Sequence, residues 1–281
     1  MNIQIFKEIS RKYKVIFFDS YGVLRNYKGI YPGVREMLLS LEEDGIDYYI
    51  LTNDASRSPK LLAKSFHDKG VPEITEDKII SSGMIAMDYM VNKISSGTLV
   101  YLGTERSAHY VESIGLKTIS IKDVDLDDIE DVSTLVLLDD EGFDWNIDLS
   151  KTVNLLRKKS IPVIVANLDA TYPVNKEDVN IAIGGLAELL EKMVKKTFMR
   201  FGKPDSQMFN FAYNYVINKN HVGKREILMV GDTLKTDIIG GNKFGIDTCL
   251  VLSGNVQAKN AELNIASSGI IPDFICNSVT T

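Results

Sequence analysis

The sequence predicts an α/β protein, a doubly wound parallel sheet with a second, smaller α/β unit set into it. Short apolar runs alternate with segments whose apolar residues recur at helical spacing. Several runs, Val15–Phe18 among them, are apolar at every position, as strands covered on both faces are. The same runs end in carboxylates, hydroxyls or amides, placing polar groups at one edge of the sheet.

Val15–Phe18 leads into Asp19-Ser20-Tyr21-Gly22, so a carboxylate closes a buried strand at the edge where open α/β sheets bind ligands. A loop over 25–31 ends at Pro32-Gly33, and Val34, Met37, Leu38 and Leu41 then recur as a helix would until Gly45. Residues 47–51 form the next apolar run, closing in Thr52-Asn53-Asp54. A helix opens at Ser58-Pro59, carries Leu61, Leu62 and Phe66, and stops at Gly70. Residues 78–80 make a third strand step, followed by a helix whose Ile85, Met87 and Met90 read as core packing.

From Gly97 the alternation restarts with a strand over Thr98–Leu102, a helix around 106–114 and a strand over 117–121. After an acidic stretch, a strand over 135–138 ends in Asp139-Asp140-Glu141, which reads as a solvated acidic turn because no further ligands follow at defined spacing. A helix to Lys159 and a strand over 162–166 lead to Asn167-Leu168-Asp169, and Gly184-Gly185 reads as a turn before a helix over 186–196. Residues 82–197 therefore read as a unit of their own, with 1–81 and 198–281 as the discontinuous core. In the last part, Phe201-Gly202-Lys203-Pro204-Asp205 precedes a helix from Ser206. Residues 227–230 then run into Gly231-Asp232-Thr233-Leu234-Lys235-Thr236-Asp237, and strands over 247–252 and 272–276 complete the series.

Composition narrows the class. Apolar content of 44% and charged content of 25% over 281 residues suit a globular protein with a sizeable core. A formal net charge of -6 argues against nucleic acid as a partner, and no apolar stretch approaches a membrane span or signal core. Cys249 and Cys276 read as reduced, packed thiols, which points to a cytoplasmic protein. His67, His109 and His221 lack ligand spacing and read as structural or surface residues.

Four groups thus arrive at strand ends: Asp19, Thr52 with Asn53, Lys203, and Asp232 with Asp237. Phosphoryl transfer to a carboxylate requires such a set, because an incoming dianion repels its nucleophile. Asp19 and Asp232 can hold one Mg²⁺, a hard cation satisfied by carboxylate oxygens and water. Lys203 adds positive charge, while Thr52 and Asn53 offer neutral donors. Asp237 could reach the ion through water or fix Lys203.

In this order FFDSYGVL, ILTND, FGKPD and VGDTLKTD resemble the four motifs of the haloacid-dehalogenase-like (HAD) phosphohydrolase superfamily. An insert between the second and third motifs resembles the large cap of class IIA, the branch of NagD-type and p-nitrophenyl-phosphatase-like enzymes. The resemblance implies a Rossmann-like HAD core, an inserted cap, and a Mg²⁺-dependent phosphatase acting on a small phosphorylated metabolite, of sugar phosphate or nucleotide type. Asp19 would be the nucleophile that forms an aspartyl phosphate, with Thr52 and Lys203 binding the phosphoryl group. Asp19, the backbone carbonyl of Tyr21, Asp232 and Asp237 would surround the metal. Asn53, Asp54, Asn167 and Asp169 would face the substrate, and the cap would pair two copies into a homodimer.

One position departs from the pattern. The family carries a second Asp two residues after the nucleophile, to protonate the leaving oxygen and activate water, and here that residue is Tyr21. A phenol can donate a proton but is a poor base near neutral pH. Loss of such a group costs ~10²- to 10⁴-fold in rate, about 3 to 5 kcal/mol of barrier. The motifs leave three outcomes open: a slow phosphatase, a phosphate-ligand binding or regulatory protein with little turnover, and a phosphotransferase.

Overall fold

The computed structural model describes residues 2–175 and 177–281. The chain divides into two compact units, one of Met1–Thr52, Pro59–Ile80 and Lys203–Thr281, the other of Asn53–Ser58 and Ser81–Gly202.

The first unit is built on a six-stranded sheet in the order Phe274–Cys276, Asp247–Val251, Ile227–Gly231, Val15–Phe18, Asp47–Thr52, Ile79–Ser81. Val15–Phe18 lies inside it and pairs in parallel on both sides, Phe18 standing opposite Val230 and Ile50. All four of its residues are fully buried, which is why the run carries no alternation. Burying each such side chain contributes roughly 1.5–3 kcal/mol. Phe18 packs with Phe6, Val34, Leu38 and Phe66 in the larger core cluster. The chain leaves this strand toward Asp47–Thr52 on one side and returns at Ile227–Gly231 on the other, so the order reverses at Asp19. Cys249 and Cys276 are buried free thiols on neighbouring strands, their sulfurs 3.5 Å apart.

The second unit holds a five-stranded parallel sheet, Met199–Arg200, Val163–Val165, Val132–Leu137, Thr98–Leu102, Thr118–Ser120. The helices Ile147–Lys158 and Ile183–Val194 contribute Leu155, Leu156, Ile183, Leu186 and Leu190 to its core.

Local readings that the structure corrects have identifiable causes. Gly184 and Gly185 lie in the first turn of the helix Ile183–Val194 instead of before it. A Cβ on Gly184 would stand 2.6 Å from the Asp169 carbonyl oxygen, so the glycine serves close packing. The helix around 106–114 shortens to His109–Glu112. The loop over 25–31 contains a small hairpin, Arg25–Asn26 against Gly29–Ile30. A second hairpin, Thr171–Pro173 against Val179–Ile181, has exposed strands whose apolar residues are too few to announce it. The acidic turn is not fully solvated either, since Asp139 is only 8% exposed. It closes a strand whose six residues are almost all buried, and it inherits that burial.

Candidate active site

Parallel pairing sets the first unit's site. The Asp19 N–H donates to the Val230 carbonyl at 2.8 Å, extending the ladder to the last residue before the strands part. Asp19 and Asp232 therefore emerge side by side at the carboxyl edge, and Thr52 ends the strand on the other flank. Thr52 and Asn53 are both buried.

Lys203 crosses this edge and is 2% exposed. Its ammonium lies 2.6 Å from Asp19 Oδ1 and 2.7 Å from Asp237 Oδ1. Burial works against that charge, but Asp19 and Asp237 more than offset it, so the Lys203 pKa stands above its ordinary value. Asp237 also accepts from the Thr233 N–H at 3.1 Å, locking the turn that follows the Ile227–Gly231 strand. Gly231 permits this fold of the chain, because a Cβ there would stand 2.2 Å from the Asp237 Cβ.

Asp232 is held from the opposite side. Its Oδ1 accepts from the Thr233 hydroxyl at 2.9 Å and its Oδ2 from the Asn255 N–H at 2.7 Å. Gly22 and Gly254 both press on this carboxylate, and a Cβ on either would meet Oδ2 at 2.1 and 2.0 Å respectively. Ser253 ties the two loops together by donating to the Gly22 carbonyl at 2.7 Å, and the Asn255 amide donates to the Thr233 hydroxyl at 2.9 Å. Sequence reasoning missed Ser253, Gly254 and Asn255. Their signal was a Ser-Gly-Asn step after the strand Asp247–Val251, at the same edge as the other strand ends.

The carboxylates of Asp19, Asp232 and Asp237 offer oxygens that lie within 4.8 Å of one another. Burial, then repulsion from Asp19 and Asp237, drives the Asp232 pKa upward. Three carboxylates against one ammonium leave an excess of buried negative charge, and an all-oxygen donor set suits a hard divalent ion such as Mg²⁺. The residues present fit that ion.

Tyr21 sits on the loop after Asp19, half-buried, and bridges to Arg25. Burial raises its phenol pKa and Arg25 opposes the rise, so Tyr21 holds its proton more firmly than a solvated tyrosine and offers less phenolate near neutral pH.

The other predicted substrate residues belong to the second unit. Asn53 donates to Asp169 Oδ1 at 2.9 Å, and the Asn53 carbonyl accepts from Ser82 Oγ at 2.8 Å. Asn167 turns its side chain onto its own loop, its Oδ1 accepting from the Asp169 N–H at 2.8 Å. Asp54 does the same, accepting from the Ser56 N–H and hydroxyl at 2.9 and 2.6 Å. Asn53 and Asp169 are thus brought together, while Asn167 and Asp54 shape the loops that carry them.

A family model for haloacid dehalogenase-like hydrolases matches residues 16–117, and a HAD-hydrolase-like model matches residues 200–281. The chain is 56% identical to a possible sugar phosphatase of the HAD superfamily from Cytophaga hutchinsonii. That crystal structure covers 100% of this chain over 99% of its own, with a TM-score of 0.96. The chain belongs to the haloacid dehalogenase-like hydrolases. Within the superfamily it falls in the NagD-like branch, class IIA. Mouse (Mus musculus) chronophin is 26% identical over 94% of this chain and 90% of its own length. The ribonucleotide monophosphatase NagD of Escherichia coli is 26% identical over 86% of this chain and 88% of its own. In this HAD-like chain three of the four sequence motifs lie at the ends of the strands that carry Asp19, Thr52 and Asp232.

Proposed function

We propose that the chain is a phosphatase acting on a small phosphorylated metabolite. The observation that carries this reading is Lys203 buried between Asp19 and Asp237 with Asp232 alongside, a nucleophile and a phosphate-binding cation fixed in one charge cluster.

Asp19 attacks the phosphorus, the bond to the ester oxygen breaks, and the departing oxygen takes a proton. Water then hydrolyses the aspartyl phosphate, releasing phosphate and restoring Asp19. Lys203 and Thr52 bind the phosphoryl oxygens. Asp19, the Tyr21 carbonyl, Asp232 and Asp237 would hold Mg²⁺, which neutralises phosphoryl charge when bound. The second unit serves as the cap, with Asn53, Asp54, Asn167 and Asp169 on the loops that meet the substrate. The raised pKa of the Tyr21 phenol makes it a poor proton donor to the leaving oxygen and leaves little phenolate to take a proton from water, so turnover is slow.

The test is hydrolysis of p-nitrophenyl phosphate with Mg²⁺ by the wild type and by Asp19→Asn. Activity that the substitution reduces on the order of 10⁴-fold is the expected result. Equal rates in both would reject Asp19 as nucleophile. The raised Tyr21 pKa also favours a second reading, a protein that binds a phosphorylated ligand with little turnover. Tight Mg²⁺-dependent binding of sugar phosphates without phosphate release would select it.

A further inference from the structure

The second unit contains a cleft of about 430 Å³ that the phosphatase reading leaves unused. Its lining includes Asp140, Glu141, Trp145, Tyr172, Asn180 and Ile181. Two aromatic side chains are anchored there to one residue. The Tyr172 hydroxyl donates to Asp140 Oδ2 at 3.1 Å, and the Trp145 indole N–H donates to the Asp140 carbonyl at 3.1 Å. Asn180 donates to the Tyr172 hydroxyl at 3.4 Å and ties the exposed hairpin to the same group.

Among the described residues that line the cleft there are two carboxylates and no Lys, Arg or His. Burial pushes the Asp140 pKa up, in keeping with that lack. A hard metal ion would need several converging oxygens. Among the described residues only Asp19, Asp232 and Asp237 converge in that way, and the cleft's acids do not. Negative charge beside aromatic faces instead suits a large, weakly hydrated cation, which gains from ring and carboxylate together.

We propose that this cleft binds an organic ammonium group, seated against the Trp145 and Tyr172 rings with its charge toward Asp140 and Glu141. The site goes beyond the phosphatase reading, and its test contains no phosphate ester.

Trp145 is the only tryptophan of the chain, so its fluorescence reports on the cleft alone. Choline chloride is titrated into the full-length protein at constant ionic strength, with calorimetry in parallel, beside the uncharged isostere 3,3-dimethylbutan-1-ol. The expected result is a saturable response to choline at least tenfold stronger in affinity than to the alcohol. Glu141→Gln, at an exposed position, and Asp140→Asn are each expected to weaken choline binding about tenfold. Equal binding of the alcohol would make the cleft merely apolar, and an equal response to Ca²⁺ would make it a metal site. Either result, or no saturable signal in both measurements, overturns the proposal.

Discussion

Both units gather carboxylates at the ends of buried parallel strands, yet they handle the charge in opposite ways. In the first unit Asp19 and Asp237 share the buried ammonium of Lys203, and Asp232 is gripped by N–H and hydroxyl donors. In the second, Asp139 and Asp140 end a comparable strand with hydroxyl, phenol and N–H donors, and no ion pair to either is seen among the described residues. A buried carboxylate without a counter-charge shifts toward its protonated form, whereas one paired with an ammonium can stay ionised and nucleophilic. On the readings proposed above, the difference separates a cluster suited to covalent chemistry from one suited to binding.

Lys203→Met breaks the contrast most severely. It leaves Asp19 and Asp237 facing each other with no cation, and about 3–5 kcal/mol of stability should be lost. Chemical denaturation in the absence of added metal measures it, and a change below about 1 kcal/mol would mean that the acids had simply protonated.

Gly254→Ala probes the grip on Asp232. A Cβ 2.0 Å from Oδ2 must displace the loop or the carboxylate, at a cost of about 1–3 kcal/mol. Weaker Mg²⁺ dependence of phosphatase activity is expected, and an unchanged metal titration would show that the loop shifts alone.

Tyr21→Asp restores the acid and base that the second position lacks. Hydrolysis of p-nitrophenyl phosphate should rise about tenfold or more. An unchanged rate would show that the site has adapted to the phenol.

Asp139→Asn sharpens the comparison from the second unit. Burial, then Asp140 and Asp54, raise the Asp139 pKa from 3.8 to about 7. A carboxyl whose folded value lies above its unfolded one stabilises the fold at low pH, and that contribution fades as pH climbs through the folded value. Wild-type stability should therefore fall relative to Asp139→Asn between pH 3.8 and about 7, by on the order of 1 kcal/mol. Parallel melting curves across that range would disprove the shift.

Much of this was legible before any coordinates. Fully buried parallel strands write themselves as unbroken apolar runs, so Val15–Phe18, Asp47–Thr52 and Ile227–Gly231 stood out together with the polar residues that end them. Since such strands must line up in one sheet, Asp19, Thr52 and Asp232 had to share an edge. The motif order around them fixed the family and the reaction class it suggests.

Tertiary structure decided what depends on pairs of residues far apart in the chain. Nothing local tells Lys203 that it will touch both Asp19 and Asp237, or Asn255 that its N–H will hold Asp232. The exposed hairpin and the cleft beside Trp145 were equally invisible, because half-exposed strands of three residues carry almost no hydrophobic period. The acidic turn at Asp139 shows the limit most clearly. Its sequence is that of a solvated loop, and only the sheet behind it takes the water away.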